Sequence, residues 1–396
     1  MELSKRNEFL IISLLSILIG AIVGVIDTIF GRTLLWLSAF REAHFIYLIP
    51  FLAPAGIGFL YLFLKYGKNS PQGMGLIFRV GHQEETAIPK RLPLFVIVGT
   101  WLTHLFGGSA GREGVAVQVG ATVAHWVGKL VKGVDFSQFI VIGMAAGFAG
   151  LFETPIAASF FALEVLVVGK LRYDALLPTL LAAFTASSIS RWLGLEKFSV
   201  ALDVPVSVDL AFAVKLLLLG IAFGLAGKLF AAALKWTKVF LLEKIPDPLR
   251  RIGLVGVGLS MLLFVFFQGR YSGLGTNLIS FSFTGEKIEV YDWLLKLLLT
   301  VLTLSAGYQG GEVTPLFAIG ASLGAVLAPV LGLPVVLVAA LGYAAVFGSA
   351  TNTLLAPILI GSEVFGFTYF PYFFVVCCVA FVCNGNNSIY GNQKNN

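Results

Sequence analysis

Gly107-Gly108-Ser109-Ala110-Gly111-Arg112-Glu113-Gly114 and, further along, Gly310-Gly311-Glu312-Val313-Thr314-Pro315 are the stretches that decide the fold. Each is a glycine-rich break carrying a carboxylate, set directly before an apolar segment. From Glu113 to Glu312 the offset is 312 − 113 = 199 residues, and it recurs downstream. Ala145-Ala146-Gly147-Phe148 falls on Ala344-Ala345-Val346-Phe347, Thr154 on Thr353, Ala157 on Ala356, and Glu164-Val165 on Glu363-Val364. A constant offset across separated blocks predicts two related halves, about 30–195 and 209–384, in one transmembrane domain covering 1–396. A short polar tail, 385–396, follows, and no cytoplasmic regulatory domain is expected after it.

The chain as a whole is 58% hydrophobic and only 12% charged, with a mean hydropathy of +0.91. A soluble domain needs more charge to cover its surface, so lipid is the expected solvent for most of this chain. The 44 glycines fit close packing of membrane helices. The net charge of +6 is spread over short connecting stretches such as Lys65, Lys68 and 238–251, which argues against a nucleic-acid partner. Cys377, Cys378 and Cys383 have neither metal-site nor disulfide spacing and are read as small hydrophobes. Lys5 and Arg6 precede a charge-free run from Phe9 to Ile26, which predicts an uncleaved first spanning helix with a cytoplasmic N-terminus.

Apolar segments follow at roughly 45–66, 91–107, 114–130, 137–150, 154–169, 174–193, 209–235, 250–268, 288–306, 315–330, 333–347, 353–366 and 369–383. Several are too short to cross a bilayer squarely. Breaks at such depth are tolerated only inside protein or beside a polar cavity, which is the mark of a transporter or channel site.

From residue 301 onward only Glu312, Glu363 and Lys394 are charged. A carboxylate in a bilayer costs about 2.5–3.5 kcal/mol even on lenient scales, so the two glutamates need a reason. Glu164 and Glu363 share a repeat position, and two readings stay open for them: a proton relay, or a carboxylate near a helix end bonded to backbone. Glu113 and Glu312 differ, because each stands at a helix start. Thr314 followed by Pro315 predicts an N-cap with proline in the first turn. Unpaired N–H groups and the helix dipole at such a start attract anions, and glycines let the ligand come close. A carboxylate beside that seat competes for it when ionised and leaves when protonated, coupling anion movement to proton movement. Arg112 is expected to support the structure.

These residues resemble the CLC family of anion transporters. Gly107 through Gly114 is similar to the family's motif around its gating glutamate, and Gly310 through Pro315 occupies the place of its third anion-binding loop. Gly73-Met74-Gly75-Leu76 resembles the first loop, and Tyr390 stands where the family has an anion-coordinating tyrosine. The resemblance covers nearly the whole chain. It implies an all-α polytopic membrane fold of two helical repeats, inverted with respect to each other, whose broken helices meet at a central anion site. It also implies a homodimer; the residues themselves indicate no cofactor, and the histidines His44, His82, His104 and His125 have no metal-site spacing.

Four departures point to the fluoride-specific branch: Val115 for the motif's proline, Met74 for a serine, Glu312 for an apolar residue, and Val165 where an inner relay glutamate would fall. The function so implied is fluoride export in exchange for protons across the bacterial inner membrane. In it Glu113 and Glu312 gate and couple, while Met74, Gly75, Gly114, Val115, Val313, Thr314 and Tyr390 bind the anion. Phe78 and Phe317 are candidates to line the path. A chloride/proton antiporter or a passive channel of the same fold is the near alternative. An intramembrane hydrolase is a distant one, resting on a G-x-S-x-G match at Gly107–Gly111 with His104 and His125 nearby in sequence.

Overall fold

A computed structural model of the chain describes residues 5–131, 136–196, 198–205 and 209–395, with side chains in the first helix described from Phe9 onward, so those of Lys5 and Arg6 lie outside. The architecture is all-α. Helix α1 (Lys5–Ala43) leads through α2 (Phe45–Leu48) into α3 (Leu52–Tyr66). Then come α4 (Met74–Gly81), α5 (Leu92–Leu105), α6 (Glu113–Gly128), α7 (Phe136–Phe152), α8 (Pro155–Glu164) and α9 (Leu176–Trp192). The chain continues as α10 (Leu210–Lys244), α11 (Pro248–Val265), α12 (Thr276–Thr284), α13 (Asp292–Ala306), α14 (Val313–Leu331), α15 (Val335–Thr351), α16 (Leu355–Phe365) and α17 (Phe370–Asn384).

Local chemistry sets several of these starts. Asp209 and Asp247 cap α10 and α11, each carboxylate accepting the N–H three residues on, and Pro248 occupies the first position of α11. Among the described residues, six helical segments are long and apolar enough to span a membrane, including Phe9–Ala43, Leu210–Lys244 and Val313–Leu331. Others, such as α8 with 10 residues, are not. Helices α7 and α15 are apolar on every side and almost wholly buried, as a helix enclosed by other helices must be.

The 199-residue offset reappears in the helix bounds. It carries α7 (136–152) onto 335–351, the bounds of α15, and α5 (92–105) onto 291–304, against Asp292–Ala306 for α13. It also carries α1 onto α10, N-terminal to where the sequence match begins. Packing follows the same scheme: α6 lies on α7 as α14 lies on α15, and α1 packs against α7 and α9 as α10 packs against α15 and α17. Equivalent helices meet across the middle, α3 with α11, α6 with α14 and α8 with α16. Glycine permits the tightest crossings. A Cβ on Gly147 would lie 2.0 Å from the Ala116 carbonyl oxygen, and one on Gly320 would lie 2.0 Å from that of Gly342.

Three features depart from expectation. The first helix does not end with the charge-free run at Ile26 but runs to Ala43, carrying Asp27 buried against α7, where a Cβ on Gly150 would touch its carboxylate. Helices α4 and α12, of 8 and 9 residues, left no trace in the hydropathy pattern, being about two turns long. Thr314 is not the cap of α14: the cap position falls to Glu312, and Thr314 is the helix's second residue. Its hydroxyl is recruited elsewhere.

Candidate anion site

The two glycine-rich breaks touch each other. Gly111 N–H donates to the Gly311 carbonyl (2.5 Å) and Gly311 N–H to that of Gly111 (2.8 Å), a reciprocal bridge that sets the starts of α6 and α14 side by side. Only glycine fits there, since a Cβ on Gly111 would lie 2.9 Å from both the Gly311 oxygen and a Pro315 carbon. From this junction Glu113, fully buried, reaches across to α14. Its Oε2 accepts the Thr314 N–H at 3.1 Å, and the Thr314 hydroxyl donates to its Oε1 at 2.6 Å. The Arg112 N–H adds a contact to Oε2 at 3.2 Å. The carboxylate thus occupies the N-terminal donors of the opposite helix, which is where an anion would sit.

Glu312 mirrors this placement but is not held. Its Oε2 lies over the first turn of α6, 3.6 Å from where a Cβ on Gly114 would stand. Its carboxylate accepts no hydrogen bond from another described residue, and it lines a cavity of about 370 Å³. Met74, Gly75, Phe78 and Tyr390 line the same cavity. Glu113, Gly114, Val115, Val313 and Thr314 do not, so the space ends short of the Glu113 seat.

Tyr390 is delivered by the polar tail, which is an ordered strap. Ile389 N–H donates to the Ala350 carbonyl (2.9 Å), Lys394 pairs in bridge fashion with Val167, and the Lys394 ammonium meets Glu84 at 2.5 Å. The Tyr390 ring lies 5.2 Å from that of Phe78, and its hydroxyl has no hydrogen-bond partner among the described residues.

Glu164 and Glu363 take the backbone-bonded alternative. Glu164, at the end of α8, accepts the N–H groups of Leu354, Leu355 and Ala356 at 3.3, 3.1 and 2.8 Å. Glu363, near the end of α16, accepts those of Ile156 and Ala157 at 3.2 and 2.7 Å. Each caps the helix that carries the other.

Other expectations need correction. Phe317 is not among the described residues lining this cavity; its ring is stacked on Tyr343 at 4.1 Å and packed against Phe152 and Phe347. Val115 N–H is spent on the Arg112 carbonyl (3.1 Å) inside the first turn of α6, which leaves it no donor for an anion. Ser109 bonds Thr300 and the Lys296 ammonium, while both His104 ring nitrogens face the carbonyls of Thr100 and Ala110, so no serine–histidine relay exists there. Arg112 Nε lies 3.7 Å from Glu113 Oε1, and its charge reaches Asp27.

Sequence reading missed Gln118 and Lys238, which line the cavity, and Asp27, buried with no hydrogen-bond partner for either oxygen among the described residues. Gln118 donates to the Gly114 carbonyl, and its own amide oxygen has no partner among the described residues. The signal for it was a lone amide inside the apolar segment 114–130; for Asp27, a carboxylate directly after an 18-residue apolar run.

The voltage gated chloride channel family model matches residues 57–385. Over 390 residues the chain is 36% identical to a chloride/fluoride channel protein of Pseudomonas syringae pv. tomato, covering 95% of this chain and 85% of that one. It is 27% identical over 352 residues to an H(+)/Cl(-) exchange transporter of Cronobacter sakazakii, covering 81% and 73%. The crystal structure of a CLC-type fluoride/proton antiporter superposes with a TM-score of 0.98 at 60% identity, covering both chains fully. A slow cyanobacterial Cl-/H+ antiporter superposes with a TM-score of 0.81 at 21% identity, over 98% and 97%. The reciprocal glycine bridge, the carboxylate seated on a helix start and the all-α membrane architecture therefore belong to a member of the CLC family.

Proposed function

We propose that this integral membrane protein exports fluoride in exchange for protons. The observation that carries the proposal is the Glu113 carboxylate seated on the Thr314 N–H and hydroxyl, with a second, unheld carboxylate, Glu312, beside it. An ionised Glu113 closes the seat against fluoride. A protonated Glu113 gives up its charge-assisted bonds and swings away, and the anion takes the donors it vacates. Glu312 passes the proton or fixes the gate's inward position. Fluoride is small and strongly hydrated, so it must trade its water for strong, closely placed donors. The Thr314 N–H and hydroxyl, free N–H groups at the starts of α4, α6 and α14, and the Tyr390 hydroxyl supply them. The 60% identity to a solved CLC-type fluoride/proton antiporter over the full chain supports the same substrate.

The physiological logic is resistance: HF enters a cell as a neutral acid, dissociates and traps fluoride, and inward protons drive it out again. The chain is assigned to the bacterial inner membrane with its N-terminus cytoplasmic, as a homodimer. Its halves are inverted repeats that include α1 and α10. A passive pathway is the second reading, favoured by the Pseudomonas relative's description as a channel.

Proteoliposomes loaded with equal fluoride and chloride decide between them. Fluoride leaving with proton uptake, and chloride retained, is the expected result. Chloride leaving as readily, or fluoride leaving without protons, would refute the exchange.

A further inference from the structure

The cavity holds one basic side chain that the exchange scheme leaves unused. Lys238, half-buried near the C-terminal end of α10, is the single cation and Glu312 the single carboxylate among the described residues lining it. Lys238 forms no salt bridge with a described residue, yet its charge reaches Glu312. Gln72, Gln118, Gln309 and Asn392 make the remaining wall largely polar. A space of about 370 Å³ admits an anion together with hydration water, which occupies about 30 Å³ per molecule.

Resting on the fluoride/proton reading of the site, we propose that this cavity is an antechamber in which Lys238 recruits hydrated fluoride before it loses its water at the seat. An anion approaching Glu312 alone would meet a like charge. An ammonium on the wall of the same cavity offsets that repulsion and raises the local anion concentration. Lys238 touches neither the seat nor Glu113 and therefore acts on entry, not on the exchange step.

The test is initial fluoride efflux from proteoliposomes against loaded fluoride, with proton uptake recorded, at low and high ionic strength set by an impermeant salt. For Lys238→Ala the KM for fluoride should rise about fivefold at low ionic strength, and the difference should shrink as salt screens the charge. Maximal rate and protons per fluoride should be unchanged, and Lys238→Arg should keep the original KM. A KM that stays put in Lys238→Ala, or a fall in maximal rate at fixed KM, overturns the proposal. The unmodified protein supplies an independent arm: its KM should rise with ionic strength, and a constant KM overturns the proposal even if Lys238→Ala fails to reconstitute. Fluoride moving without protons would sink the exchange reading and leave the KM comparison standing.

Discussion

Glu164 and Glu363 end their helices and cross to cap each other's, with five backbone N–H groups between them. Glu113 and Glu312 begin their helices and also cross, but unequally. Glu113 takes an N–H and a hydroxyl from α14, whereas Glu312 takes nothing from another described residue and faces a cavity. Both pairs are related by the 199-residue offset, and all four carboxylates lie among membrane helices. What separates them is the company they keep. A carboxylate satisfied by buried backbone donors that have no other partner is fixed, because leaving would strand those donors at about 1–3 kcal/mol each. A carboxylate on donors that an incoming anion can equally satisfy is exchangeable. The same residue type at repeat-related positions therefore serves stability at one site and transport at the other.

Breaking the first pair should have the largest effect on stability. Glu164→Ala leaves three N–H groups of α16 unpaired and Glu363→Ala leaves two of α8, so the loss should be greater for Glu164. We expect on the order of 3 kcal/mol or more against about 2–3. Thermal unfolding in detergent should show that order, and the surviving protein should keep its protons per fluoride. Equal melting shifts, or lost coupling in either variant, would show the distinction to be false.

At the second pair, Thr314→Val removes the hydroxyl that the seat offers to Glu113 and fluoride alike. Fluoride affinity should fall about tenfold, the size of one hydrogen bond to a charged group, with Thr314→Ser close to the original. Stability should fall by about 1–2 kcal/mol, since the buried Glu113 carboxylate loses the same donor. The smallest effects concern the phenylalanines. Phe317→Leu should cost about 1 kcal/mol of stability from its stack with Tyr343 and leave transport alone. Phe78→Leu, on the cavity wall, should alter fluoride rates about threefold, in line with one packing contact along the path. The reverse pattern would move Phe317 into the pathway.

Much of this was legible in the sequence because hydropathy and the internal offset report on burial and repetition. The breaks at Gly107–Gly114 and Gly310–Pro315 mark where backbone must approach backbone, and the glycine bridge is that approach. Other features depended on tertiary partners that no local pattern carries. Thr314 reads as a cap until Glu113 arrives from 201 residues away. Glu164 and Glu363 were ambiguous because their donors lie across the repeat boundary. Lys238 looked like ordinary loop-proximal charge, since only the fold turns that turn of α10 toward Glu312. Phe317 was one of 35 phenylalanines, and composition gave no way to choose among them.

The most direct test sets one member of each pair side by side: proton uptake per fluoride in proteoliposomes for Glu113→Gln and for Glu164→Gln. Glutamine keeps size and an acceptor oxygen but cannot ionise. Coupled proton uptake should fall by about a hundredfold in Glu113→Gln, the scale of losing a positioned proton-transfer group, and stay at the original ratio in Glu164→Gln. Intact coupling in Glu113→Gln, or its loss in Glu164→Gln, would contradict the assignment of gate and cap.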